Sequence, residues 1–160
     1  MSFHKQSFQA RFASMGDEAE GIYEQVLPIG NSIPFGWRRP KVSMKNMTNK
    51  ISNMPDFYAG AGYLVECMGC GTDKLLKLKT NKWEALKGWN QDQDVMLFVW
   101  NSKLREWFLL DWEGMKRAYA AGKRVHGVKR FHDGPQYVAI PWAVLEAQAV
   151  LGGEVELVEA

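Results

Sequence analysis

The stretch PDFYAGAGYLVECMGCGTDKLLKLK, Pro55 to Lys79, decides how this chain folds. Its middle, Tyr63-Leu64-Val65-Glu66-Cys67-Met68, is an apolar run of strand length with a carboxylate inside it. Gly60-Ala61-Gly62 precedes the run and Gly69-Cys70-Gly71-Thr72-Asp73 follows it. Glycine clusters between apolar runs signal hairpins. Antiparallel strands are therefore predicted over Asp56 to Ala59, Tyr63 to Met68 and Lys74 to Lys79. With the first turn centred on Ala61, Asp56 lies opposite Glu66, and directly opposed residues sit ~5 Å apart at their β-carbons. With the second turn near Gly71 and Thr72, Glu66 lies opposite Lys77. Leu76 and Leu78 then face one way, Lys77 and Lys79 the other.

Two carboxylates and a lysine thus converge on one face. Carboxylates that close repel unless positive charge lies between them. A divalent cation such as Mg²⁺, which takes one or two carboxylates plus water and phosphate oxygens, meets that need. The same placement also fits a Glu66–Lys77 salt bridge on a half-exposed sheet. A register slip of one residue would separate the groups altogether.

Outward from this stretch, Gly16 to Leu27 has helical spacing through Ala19, Ile22, Tyr23 and Val26, and Pro28 ends it. Positions 28 to 54 read as irregular and basic. Asn81 is expected to cap a helix over Lys82 to Trp89. Val95 to Trp100 and Glu106 to Trp112 read as strands, Gly114 to Ala121 as a helix, Gln136 to Ile140 as a strand, and Trp142 to Leu151 as a last helix. The order predicts a single α/β domain over 1–160, with a central mixed β-sheet flanked by helices.

A chain of 160 residues is long enough for one proper core. No apolar run approaches the ~20 residues that span a bilayer. The start, MSFHKQSFQARF, lacks the apolar centre of a signal peptide, so a cytoplasmic location is expected. A net charge of +2 excludes a wholesale polycation, yet WRRPKVSMKNMTNK (37–50) holds five cations and no acid. That stretch suits phosphate binding or an ordinary solvated loop. Trp37 within it can stack on an exposed base, with Arg38, Arg39 and Lys41 on phosphates, or can anchor the loop. A second basic run, Lys116 to Arg130, has the same two readings. Cys67 and Cys70 are spaced C-x-x-C, but a structural zinc site needs four ligands and there is no second pair. Two reduced thiols are expected, with a redox or zinc role as a lesser option. His126 and His132 fall in no recognisable motif.

Pro55-Asp56, a short hairpin and an acid inside an apolar strand resemble the PD-(D/E)-x-K nuclease superfamily. Gly16-Asp17-Glu18-Ala19-Glu20 resembles the opening of the first helix in archaeal Holliday-junction resolvases. The resemblance runs from about Met15 to Ser102, and the run LKLKTNKWEALKGW…LFVW is similar to bacteriophage proteins of this type. It implies a restriction-endonuclease-like core and metal-dependent hydrolysis of DNA phosphodiesters by a homodimer, with branched DNA as the substrate. Asp56, Glu66 and Glu20 would hold Mg²⁺ or Mn²⁺, with Glu18 or Glu24 as alternatives to Glu20. The motif's lysine position holds Met68 instead. A relocated lysine, Lys77 or else Lys79, would take its role. Without one, the chain would be a catalytically degenerate DNA-binding module on the same fold.

Overall fold

A computed structural model describes residues 18–27, 32–35, 48–60, 62–71 and 73–156. Helix α1 (18–26) comes first, followed by β1 (Ile33–Pro34), α2 (Asn49–Ser52), β2 (Phe57–Ala59) and β3 (Tyr63–Cys70). Then come β4 (Leu75–Lys79), α3 (Thr80–Asp92), β5 (Asp94–Asn101) and β6 (Glu106–Leu110). The chain continues through α4 (Trp112–His126), β7 (Val128–Arg130), β8 (Gln136–Pro141), α5 (Trp142–Gln148) and β9 (Leu151–Glu154). The expected α/β architecture is present: a six-stranded mixed sheet in the order β1-β2-β3-β5-β6-β9, flanked by helices.

The first hairpin has the expected register, with Phe57 opposite Val65 and Ala59 opposite Tyr63. The second hairpin does not form. β3 runs on through Gly69 to Cys70 and pairs in parallel with β5 along its whole length, Glu66 beside Leu97. β4 instead joins a separate three-stranded sheet, order β4-β8-β7, with Lys77 opposite Ala139. The physical reason lies in the two strands' patterning. β3 is apolar on both faces and requires strands on both sides, as buried parallel strands do. β4 alternates leucine with lysine, which suits a strand with only one face in the core. The chain turns between them at Lys74, whose φ is 55°.

Alternation along β3 divides the core in two. Val65 and Cys67 pack with Phe98, Trp100, Trp107 and Leu109 beneath Ala19 and Tyr23 of α1. Leu64 and Cys70 face the other way, into a cluster joining the sheet to α3, α4, α5 and the leucines of β4. Trp100 donates its indole N–H to Glu18 Oε1 at 2.8 Å, which ties α1 to the sheet.

Other boundaries moved for local reasons. α4 is longer than expected because Asp111 caps it, accepting from Gly114 N–H at 2.8 Å. α3 starts at Thr80, one residue before the predicted cap. The last helix stops at Gln148, and Gly152 and Gly153 instead lie in β9, flat against Phe108 and Trp107.

Gly122 of α4 permits an equally close approach: a β-carbon there would lie 2.7 Å from the Ala139 carbonyl oxygen. Gly88 of α3 has room, its nearest neighbour being the Lys50 side chain at 3.6 Å. Gly122→Ala is therefore expected to lower stability by about 1–3 kcal/mol through overpacking. Gly88→Ala is expected to raise it by about 0.5–1 kcal/mol through backbone entropy. Urea midpoints at constant m-value check both signs.

Candidate active site

Glu66 lies in the middle of β3 and is 1% exposed. It points toward the α3 side, since it shares alternation with Leu64 rather than with Val65. A carboxylate there cannot stay ionised without a counter-charge. The counter-charge comes from Lys82, whose Nζ lies 2.5 Å from Glu66 Oε1. Lys82 stands in the first turn of α3 with about a quarter of its side chain in solvent. It therefore links a buried carboxylate to the surface.

Asp56 stands immediately before β2, one residue past the last β2–β3 pair, Phe57–Val65, and its bonds to Val65 and Cys67 bracket Glu66. Its Oδ2 accepts the Cys67 backbone N–H at 2.8 Å. Its own N–H donates to Val65 at 3.0 Å, and its carbonyl accepts from Phe35 N–H at 2.8 Å. The carboxylate thus completes β3's hydrogen bonding where β2 leaves the ladder. These bonds fix its position.

Acidic charge gathers around Cys67. Burial pushes its thiol well up from the usual range, and the charges of Asp56, Glu66, Glu20 and Glu24 push it further. Glu20, on α1, belongs to the acidic surroundings of Cys67. Glu18 is committed to the Trp100 indole, and Glu24 is exposed. Among the described residues, no three His, Cys, Asp or Glu side chains form a ready three-ligand cluster. The donor set nevertheless suits a hard divalent cation. Asp56 and Glu66 give two carboxylates at neighbouring places in the β2–β3 hairpin, and such ions take their remaining ligands from water and phosphate.

The lysines are arranged differently from the expectation. Lys77, placed opposite Glu66 by the hairpin that does not form, is half-exposed and pairs with Asp73 at 3.1 Å. Lys79 is half-buried; burial lowers its pKa, and the nearby Lys82 charge lowers it further. Lys82 was the residue missed. Its signal was the lone carboxylate itself, which demanded a cation from whichever element followed β3 into the layer above. Met68 also packs at the edge of the α3-side cluster and brings no charge.

Trp37, Arg38, Arg39 and Lys41 lie outside the described residues. On the described flanks, Phe35 meets Trp89 edge-on at 5.3 Å, and Lys50 sits over the same ring at 4.7 Å. Cys67 and Cys70 are free, buried, and on opposite faces of β3, so the two thiols of the C-x-x-C pair do not converge. The Cys70 thiol is pushed up to about 12, first by burial and then by Asp73. The chain matches no protein family, no curated protein and no solved structure. Among the described residues, no helix is long and apolar enough to cross a membrane.

Two outcomes follow. Lys82→Met should cost about 2–4 kcal/mol, because it takes the ammonium away from a buried carboxylate, the partial exposure of Lys82 holding the cost below the top of the range. The double variant Glu66→Leu/Lys82→Met should recover most of that loss, and a double-mutant cycle in urea measures both. Neither cysteine should react with a thiol reagent at pH 8.5 until the protein is unfolded. Stability carried by the two neutral thiols is complete below their unfolded pKa, about 8.5. It falls as pH rises toward the folded values, because the unfolded chain then loses protons that the folded chain keeps.

Proposed function

We propose that the chain is a metal-dependent DNA endonuclease of the PD-(D/E)-x-K type, closest in kind to Holliday-junction resolvases and acting as a homodimer. The observation that carries this reading is the buried Glu66 carboxylate, flanked by Asp56 and held by Lys82. The element order supports it as well. A helix precedes three antiparallel strands, and a crossover helix then leads into a strand parallel to the third, as in the restriction-endonuclease-like core.

In this reading Asp56 and Glu66 would hold Mg²⁺ or Mn²⁺, with Glu20 as a further ligand or behind the ligands in support. The bound ion supplies a water of lowered pKa and offsets charge on the phosphorus. Asp56 keeps its orientation through the Cys67 N–H. Lys82 replaces the lysine absent at Met68. It orients the attacking water or donates to the developing negative charge. Lys79, beside it, contacts the phosphate backbone, as do Arg38, Arg39 and Lys41, with Trp37 stacking on an unpaired base. Lys77 loses its catalytic assignment to Lys82.

A second reading, a non-catalytic DNA-binding module on the same fold, is favoured by Met68. One assay separates the two. Four-way junction, flap, linear duplex and single-stranded DNA are incubated with and without Mg²⁺ or Mn²⁺. The endonuclease reading expects metal-dependent cutting, strongest on the branched substrates. Glu66→Ala, Asp56→Asn and Lys82→Ala should each lower the rate roughly 10²-fold or more, while Lys77→Ala stays near wild type. Binding should persist in the carboxylate variants, since removing negative charge eases phosphate approach. Cutting by Glu66→Ala at the wild-type rate would refute the site. Binding of every substrate without cutting would establish the second reading.

A further inference from the structure

The residue after Lys82 opens a different surface. Trp83 of α3 stacks on Trp112 at 4.9 Å and 11°, and on Tyr119 at 4.4 Å and 13°, both from α4. Seven residues of helix, about 10 Å, separate Trp112 from Tyr119. Trp83 therefore lies between them, and the three rings form a ladder of near-parallel planes. Trp83 is almost buried, whereas the two outer rings are partly exposed.

The ladder lines an open groove of about 510 Å³ between α3 and α4. That size falls within the ~300–1,000 Å³ of small-ligand sites. Every charged residue lining it is a lysine: Lys87, Lys116 and Lys123. Two of these make exposed pairs with glutamates outside the lining, Lys87 with Glu84 at 3.4 Å and Lys116 with Glu113 at 3.1 Å. Glu84 is also close enough to add to the raised pKa that burial gives Tyr119. Pairs this exposed are worth little and exchange readily for another anion.

We infer that this groove binds single-stranded nucleic acid, a base extending the aromatic ladder and phosphates meeting Lys116 and Lys123. Flat rings ending in partly exposed faces, beside cations of one sign, match a strand whose bases are unstacked. A duplex hides its base faces and fits less well. Trp83 and Lys82 are adjacent on α3, so a strand held here would lie one helix face away from Glu66. The binding itself does not depend on hydrolysis at Glu66.

The test uses the full chain without divalent metal and fluorescein-labelled dT10. Fluorescence anisotropy compares it with an abasic strand of equal length and with a ten-base-pair duplex. The expected result is that dT10 binds roughly tenfold or more tighter than the abasic strand, within the range of aromatic–base stacking. Lys116→Gln/Lys123→Gln, both exposed, should leave the melting temperature unchanged and weaken dT10 binding. The slope of log K against log salt should fall by about 1.4, the value for two lost phosphate contacts on a single strand. The assay holds no divalent metal and reads binding alone, so a failure of the nuclease reading leaves this result standing. Equal affinity for dT10 and the abasic strand, or an unchanged slope in the double lysine variant, would overturn the proposal.

Discussion

The ion pair between Glu66 and Lys82 joins the two halves of this structure. A carboxylate in the central strand of an apolar sheet carries a desolvation cost of several kcal/mol even after relaxation. That is on the order of what two buried leucines contribute. The fold meets this cost by bringing a cation from a different layer. Lys82 can reach Glu66 only because β4 ends at Lys79 and α3 begins immediately, placing the helix's first turn over β3. The departure of β4 into a second sheet and the parallel pairing of β3 with β5 belong to the same arrangement. If β4 had stayed beside β3 as a hairpin, β5 would have had no place there, and α3 would not cross above Glu66.

A buried ion pair of this kind is weak as a source of stability, because apolar residues of similar volume would do as well. Its retention in the middle of the sheet is better explained by what it does to the surroundings. Asp56 is held nearby by a backbone N–H. The local field is acidic enough to add to the suppression of Cys67 ionisation. Lys82 then brings the positive charge into this acidic setting, its ammonium at the Glu66 carboxylate and about a quarter of its side chain in solvent. In the proposed nuclease reading, this cation is what would stand in for the lysine absent at Met68.

Much of this was legible in the residues. The first hairpin, its register, and the adjacency of Asp56 and Glu66 followed from two glycines and a period-2 pattern. The buried strand at 95–100 was equally plain from its unbroken apolar run. The second hairpin failed because local signals cannot tell a tight turn from a loop that changes layer. Gly69 looked like turn chemistry but belongs to β3, and the true reversal is at Lys74, where no glycine marks it. The Leu–Lys alternation of β4 was read correctly as one-faced, but it was assigned to the wrong sheet, since its partner β8 lies some sixty residues away. Lys82 was missed with it, as a side chain on a crossover helix has no fixed register with the strand below. β9 was taken for the end of a helix because its glycines are explained only by the Phe108 and Trp107 rings they lie against.

The central claim is that Asp56 and Glu66 together form a binding site for a hard divalent cation. Diffraction at the manganese edge from crystals soaked in Mn²⁺ tests it most directly. The account predicts one anomalous peak in contact with both carboxylates, lost in Glu66→Gln crystals soaked identically. A peak that ignores both residues, or a Glu66→Gln crystal that keeps it unchanged, would contradict the account.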